Sequence, residues 1–581
     1  MFAGNYVLIL HTHLPWVLHH GNWPHGVEWL TEAVAECYIP LLNVFNDLLN
    51  EGISPKVSLD ISPVLCEQLE HPEFKYIFID YCNQKILAAQ KDEKNFTDWG
   101  WDEHHIYLTR FWQDWYEQRK NDFLHKYNAS IITAFKELQD KGAVEILTCG
   151  ATHGYLPLLG DDRSINLQIE AAVENYKKHF GRNPRGIWLP ECAYRPSYEW
   201  KSLIPVHPFH HLRLRPGIEQ FLAKHHIEYF VTDENLIQRA YPIGMYLDFS
   251  KEKFVTISSQ SSHLKKAFFE NTPLVIFNVS SSEKVEYGTA VAFSRHHKIS
   301  MQVWSGEMGY PGEPDYLDFH KKHLDSMLRY WRVTDTKADM MYKSLYHPDW
   351  TQKKIDLQTN HFIHHIENTL NWFRNEKKKA STLCTPFDTE LFGHWWFEGP
   401  EFIRALCKGL SHSPYVNMAT ASEELFRVKP LEVKGIPEGS WGKNNNHDVW
   451  INDETKWTWE VIYNNENRWN SVMEKFNDFI QKSDYEGKAK LDEDLRRILT
   501  QALREMMLLQ ASDWQFLITT QSARDYAEQR FSYHHSDFNK LCDIAEKFIE
   551  TGLISHQDFL FLEETEKRNS PFPELKLEWW R

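Results

Sequence analysis

No two of the eight cysteines (Cys37, Cys66, Cys82, Cys149, Cys192, Cys384, Cys407, Cys542) form a Cys-x-x-Cys pair. They are scattered along the chain and lack the paired spacing of a zinc knuckle, so neither a zinc knuckle nor a disulfide framework is expected. No apolar run reaches the roughly 20 residues that cross a bilayer. The first residues, "MFAGNYVLIL", put no basic segment ahead of a short apolar stretch. They read as a first strand rather than a secretory leader, and a cytoplasmic location is the expectation. Basic excess is missing as well. The formal net charge is −17, which gives no support to a nucleic-acid partner. No internal repeat or low-complexity tract interrupts the chain.

Aromatics are abundant: 23 Trp, 25 Tyr and 35 Phe among 581 residues. A chain that is 42% apolar can place most of them in a large core, and its length allows about two to four domains. Several Trp nevertheless stand in polar, Gly-bearing stretches such as "GSWGKNNNHDVW" (439–450). Flat faces in open clefts suit sugar rings, which have apolar C–H faces and polar edges.

Short apolar runs recur, each ending in polar residues: "YVLILHTH" (6–13), "KVSLDIS" (56–62), "AVEILTCGATH" (143–153), "GIWLPE" (186–191), "YFVTDE" (229–234), "ISMQVWSGE" (299–307), "LCTPFDTE" (383–390) and "VNMATASEE" (416–424). Such runs suit strands buried on both faces. Helical patterns lie between many of them, for example "INLQIEAAVENYKKHFG", which starts after Ser164 and closes on Gly181. The alternation predicts an α/β fold with a parallel, TIM-like barrel over residues 1–424, its reactive groups at the strand C-terminal ends. Residues 70–140 read as a helical insertion, and 425–581 as a C-terminal helical domain with no further strands. Residues 240–298 have no clear period and read as a long excursion, a lid by expectation.

Chemistry-bearing residues fall at the predicted strand ends. His11 and His13, two apart, point the same way on a strand. His153, Glu191 and Asp388 end other runs. A lone acid at a strand end is more often a cap or an ion-pair partner. Two acids in aromatic, Pro- and Gly-rich settings, beside histidines, match the carboxyl pair that cleaves glycosidic bonds. A metal set drawn from His11, His13, His153, Asp60 and Asp388 stays open on residues alone.

Four ordered stretches, "HTHLPW" (11–16), "CGATHGYLPLL" (149–159), "WLPECAYRP" (188–196) and "TPFDTELFGHWWFEGP" (385–400), resemble the motifs of glycoside hydrolase family 57, in the wording of its 1,4-α-glucan branching enzymes. "QVWSGEMGYPGEPDY" (302–316) and "ASDWQFLITTQSARDYAEQRF" (511–531) extend the resemblance, which runs from about residue 5 to about residue 545. It implies an incomplete (β/α)7 barrel with a helical insertion and a C-terminal helical domain. By the same resemblance Glu191 is the nucleophile and Asp388 the general acid/base. His11, His13 and His153 line the sugar subsite, Trp29, Trp304, Trp441 and Trp450 shape the groove, and Asp513 is contributed by the C-terminal domain. The partner implied is an α-1,4-glucan, and neither a cofactor nor a catalytic metal is expected. The chain departs from the family in the stretch before "VWS". There a loop-tip tyrosine is expected to guard the intermediate, and Tyr241, Tyr246 and Tyr287 are the candidates.

Overall fold

The computed structural model describes residues 2–22, 24–251, 253–257, 270–283, 285, 288–305, 308–482 and 488–581. Seven strands among them organise the site: β1 (Gly4–Thr12), β2 (Val57–Ile61), β3 (Val144–Cys149), β4 (Gly186–Trp188), β5 (Tyr229–Thr232), β6 (Ala290–Ser294) and β7 (Ser381–Asp388). They lie in the order β7-β1-β2-β3-β4-β5-β6, each parallel to its neighbour. One isolated parallel bridge, Arg295 to Cys384, links the two ends of that path.

The period of two along a strand sorts the side chains. On β1, Tyr6, Leu8 and Leu10 join the large apolar cluster under the surrounding helices. Val7 and Ile9 join a different cluster with Leu147, Trp188, Val231, Phe293 and Cys384, drawn from β3, β4, β5, β6 and β7. Both faces are therefore covered, and all nine β1 residues are buried. His11 continues the Val7–Ile9 face by the same alternation.

Helices return the chain between parallel strands. The Asp162–Phe180 helix starts on Asp161, whose side chain accepts from the Arg163 amide. It stops at Gly181, whose φ of 70° is a left-handed conformation that glycine adopts without strain. Between β2 and β3 the chain runs through helices Phe74–Asp98, Glu103–Asn121 and Ile131–Asp140, in the segment expected to be a helical insertion.

Three expectations change. The described part of "ISMQVWSGE" is not a strand: His297–Trp304 is a helix whose N-cap is His296. A short apolar run is ambiguous between the two states, and the buried strand is β6, just before it. The 240–298 stretch is no lid among its described residues. Phe277–Val279 pairs antiparallel with β6, and Glu432–Gly435, Tyr241–Tyr246 and Phe254–Thr256 carry the sheet outward, making it mixed. Tyr241 and Tyr246 therefore lie in a strand rather than at a loop tip, and Tyr287 is outside the described residues. Finally, strand pairing does not end at 424. Glu432–Gly435 belongs to the sheet, and the C-terminal helices Lys456–Lys482, Lys488–Leu509, Asp513–Thr520, Arg524–Thr551 and His556–Arg568 follow it.

Helix Lys456–Lys482 docks through Glu466, whose carboxyl accepts from the amides of Gly160 and Asp161 at 2.9 and 3.1 Å and from the Ser164 hydroxyl. No helix of the described residues is long and apolar enough to cross a membrane.

Candidate active site

Register sets the floor of the site. Asp388 on β7 stands opposite His11 on β1, which stands opposite Asp60 on β2. His13 lies just past the end of β1, its ring 5.9 Å from that of His11 and nearly parallel to it. The His11 ring lies flat on Trp188 of β4 at 4.5 Å. His153 follows β3 in a turn with φ 59°, and its ring stacks on His13 at 3.8 Å.

Glu191 follows β4 at φ 62°, ψ 22°. That left-handed conformation costs a non-glycine residue about 1–2 kcal/mol. The loop around Trp441 holds it there. Gly439 exchanges backbone hydrogen bonds with Tyr194, and the Trp441 amide donates to the Glu191 carbonyl at 3.2 Å. Trp441 Nε1 donates to Glu191 Oε2 at 3.0 Å. Ser512, between two C-terminal helices, donates from Oγ to Oε1 at 2.9 Å. The Ser512 amide in turn donates to the His153 carbonyl at 3.0 Å.

Burial raises the Glu191 carboxyl, and the two donors, Trp441 and Ser512, work against that rise. Asp388 is pushed well up by burial, then by the charges of Glu390 and Glu191. With few opposing influences it keeps its proton to higher pH than Glu191. Two carboxyls held apart in this way can serve as nucleophile and acid. Burial, then the neighbouring His13, drives His11 down to about 3. Burial also holds His153 far below its ordinary value, so both rings are neutral. Burial pulls His13 down too, but Asp513, 3.0 Å from its Nε2, more than offsets this and raises it.

His11, His153 and Cys149, and separately His13, His153 and Asp513, bring possible metal-ligand atoms within 4.8 Å of one another. In this arrangement the histidine nitrogens are already engaged. His11 uses Nδ1 on Asp60 and Nε2 on His153, and His13 uses Nδ1 on Ser62 and Nε2 on Asp513.

The fold thus gathers Glu191, Asp388, His11, His13, His153, Asp513 and Trp441. Trp304 adds to them, its ring edge-on to Trp441 at 6.0 Å. Trp29 packs elsewhere, against His25 and Tyr526 at 5.1 and 5.5 Å. Trp450 is only 1% exposed, stacked behind Tyr155 at 4.5 Å, and has no face to offer a ligand. Sequence reasoning missed Trp188, Ser512 and Arg295, and weighed Asp60 only as a metal ligand. Arg295 pairs with Asp233 at 2.5 Å and lies over Trp441. The one signal for Ser512 was its place beside Asp513.

Residues 7–437 match the model of glycosyl hydrolase family 57, and residues 469–580 that of the C-terminal region of 1,4-alpha-glucan branching enzymes. The chain is 36% identical over 572 residues to the 1,4-alpha-glucan branching enzyme TK1436 of Thermococcus kodakarensis, covering 98% of this chain and 77% of that protein. A branching enzyme of the same family type from Pyrococcus horikoshii superposes with a TM-score of 0.85 at 34% identity, covering 100% of this chain and 97% of the other. The α-amylase AmyC of Thermotoga maritima does so with a TM-score of 0.77 at 26% identity, covering 99% of each chain.

Proposed function

The chain belongs to glycosyl hydrolase family 57, and on that premise we propose that it acts as a retaining 1,4-α-glucan branching enzyme whose nucleophile is Glu191 and whose acid/base is Asp388. The carrying observation is the pair of environments. Glu191 is braced by two donors on both oxygens, while Asp388, at the half-buried end of β7, has its carboxyl pushed well up by desolvation and by the charges of Glu390 and Glu191. Glu191 attacks the anomeric carbon of an α-1,4-linked glucose as Asp388 protonates the departing chain, giving a glycosyl-enzyme. Asp388, now ionised, takes the proton of an incoming glucan 6-hydroxyl, whose oxygen attacks the anomeric carbon and breaks its bond to Glu191, so an α-1,6 branch forms and the Glu191 carboxylate is released.

His11, His13 and His153 form the neutral or donor-rich wall of the sugar subsite in this reading. Trp441 and Trp304 supply the aromatic surface beside the carboxylates, Trp29 a more distant part of the groove, and Trp450 backs the wall from behind. The seven parallel strands are read as an incomplete (β/α)7 barrel, supported by the Arg295–Cys384 bridge and by the inner cluster shared around the strands. Eight unpaired, buried cysteines fit a reducing compartment, consistent with a cytoplasmic role in building a glycogen-like polymer.

Likeness to an α-amylase supports one alternative, in which water takes the place of the 6-hydroxyl. Both readings use the same carboxyl pair, so acceptor positioning and water exclusion decide the outcome. Incubation with amylose separates them. New α-1,6 linkages by proton NMR in excess of new reducing ends are expected, and reducing ends alone would establish hydrolysis. Glu191→Gln is expected to abolish both products, and full activity in that variant would overturn the assignment.

A further inference from the structure

Behind Glu191 an unbroken line of hydrogen bonds leads into the protein. Ser512 Oγ is 2.9 Å from Glu191 Oε1 and 2.8 Å from His153 Nδ1. His153 Nε2 is 3.1 Å from His11 Nε2, and His11 Nδ1 is 2.8 Å from Asp60 Oδ1. Asp60 is fully buried.

Counting protons fixes the direction of the line. A serine hydroxyl has one proton, and a neutral imidazole has one N–H and one acceptor nitrogen. If Ser512 donates to Glu191, His153 must donate from Nδ1 to Ser512 and accept at Nε2. His11 then donates from Nε2 and accepts at Nδ1, so Asp60 must carry the proton shared with it. The opposite arrangement has Glu191 protonated and Asp60 ionised. The two differ by one proton moved across each of four bonds, from Asp60 to His11, His11 to His153, His153 to Ser512 and Ser512 to Glu191. Asp60–COOH and Glu191–COO⁻ become Asp60–COO⁻ and Glu191–COOH, with nothing else consumed.

We propose that Asp60 is a positioning residue that stores the proton at the inner end of this relay and so keeps Glu191 ionised for attack. The inference rests on Glu191 being the nucleophile. The partners at each end say where the charge belongs. An ionised Glu191 has Trp441 Nε1 and Ser512 Oγ as donors, and its side chain keeps 13% exposure. An ionised Asp60 would have the Thr12 amide at 3.3 Å and His11, both on Oδ1, while Oδ2 is buried with no donor among the described residues. A buried charge with an unsatisfied oxygen is the costlier of the two. In agreement, burial pushes Asp60 well above the usual carboxyl range and holds both relay histidines neutral.

Other titratable groups face the two ends. Asp513, Asp388, His11 and His13 face Glu191, with Cys149, Cys192 and Tyr155, which burial keeps neutral. His13, Asp388, Cys66, Cys149 and Tyr38 face Asp60. The two relay carboxyls titrate jointly, so the acid limb of kcat/KM belongs to the pair.

Three variants test the relay. Asp60→Leu removes the donor to His11, frees Ser512 to turn toward His153, and is expected to move the acid limb of kcat/KM up by about one pH unit. Asp60→Asn keeps an N–H for His11 Nδ1 and is expected to leave that limb in place. Ser512→Ala cuts the last bond and is expected to raise the limb even if Asp60→Leu does not fold. An unmoved limb in the folded Leu and Ala variants would reduce Asp60 to a structural residue and overturn the proposal. Infrared spectroscopy at neutral pH gives a readout independent of turnover. A protonated-carboxyl band present in the wild type and missing in Asp60→Asn is expected, and identical spectra would overturn the relay. If Glu191→Gln proved fully active, the functional reading would fall while this band still judged the relay.

Discussion

Glu191 sits in the left-handed region, and so does the next residue, Cys192, with φ 62° and 50°. Two positive-φ residues in succession turn the chain after β4, and the Glu191 carboxyl meets Trp441 Nε1 and Ser512 Oγ. The strain persists because Trp441 and Ser512 grip both carboxyl oxygens. Trp441→Phe keeps an aromatic face but deletes the Nε1–H donor. A hydrogen bond to a charged group contributes about 1.5–3 kcal/mol, and its loss disfavours the carboxylate. The Glu191 pKa therefore rises, and the acid limb of the pH–kcat/KM profile is expected to shift up by about one unit or more. Profiles of wild type and variant on a soluble glucan check this. At this scale the sequence was informative about Glu191, Asp388 and the histidines, which lie in long quoted motifs. It was silent on Trp188, an inner-face strand residue that reads as core, and on Ser512, which lies 321 positions from its partner Glu191.

Elements hold the site through close backbone approach as much as through side chains. Gly439 is one such point: a Cβ there would meet the Asn445 carbonyl oxygen at 2.6 Å and Leu236 Cδ1 at 3.0 Å. Gly439→Ala must displace the loop that carries Trp441. Overpacking of this kind costs about 1–3 kcal/mol, and displacement by about 1 Å of a group that supports the proposed nucleophile costs up to about 10²-fold in rate. The expected result is a loss of kcat of at least about tenfold with a modest fall in Tm, checked by steady-state kinetics and thermal unfolding of the same preparation. Element boundaries show where sequence patterns run out. The Asp162–Phe180 helix was legible from its periodicity and its closing glycine. The helix His297–Trp304 was not, because its four apolar residues, Ile299, Met301, Val303 and Trp304, suit either state and the neighbouring β6 decided which segment filled the sheet. The strands at 241–246 and 254–256 were illegible for a related reason. They lie at the sheet's outer end, where Tyr241 and Val255 are 49% and 44% exposed, so alternation is weak.

At the scale of the molecule, the C-terminal helices complete the site. They supply Ser512 and Asp513, and Glu466 fastens their first helix to the N-terminus of the Asp162–Phe180 helix. Burial, then the nearby Asp161, pushes the Glu466 carboxyl up to about 8. Glu398 and Glu505 are raised by burial to about 7. A raised carboxyl contributes stability that is complete below its unfolded value and disappears as pH climbs through its folded value. Buried neutral histidines such as His11 and His20 act oppositely, but only below about their ordinary 6.5. Tm is therefore expected to fall between about pH 6.5 and 8. Glu466→Gln is expected to flatten the upper part of that fall by at most about 1.4 kcal/mol per pH unit. Thermal unfolding across this range, compared between the two proteins, checks it.

The sequence by itself determined what local pattern can encode: alternating buried strands and helices, the helical run between β2 and β3, a helical C-terminal region, and the motifs bearing Glu191, Asp388 and the histidines. Side-chain period and apolar run length are properties of neighbours along the chain, so they can be read there. Only the tertiary structure decided which strands are partners, where the sheet ends, that Trp450 lies behind the wall rather than on it, and that Asp60, His11, His153, Ser512 and Glu191 stand in one line. Those relations join residues from β1, β2, the turns after β3 and β4, and the C-terminal helices. They come from packing between segments 49 to 359 residues apart, and no local pattern carries that information.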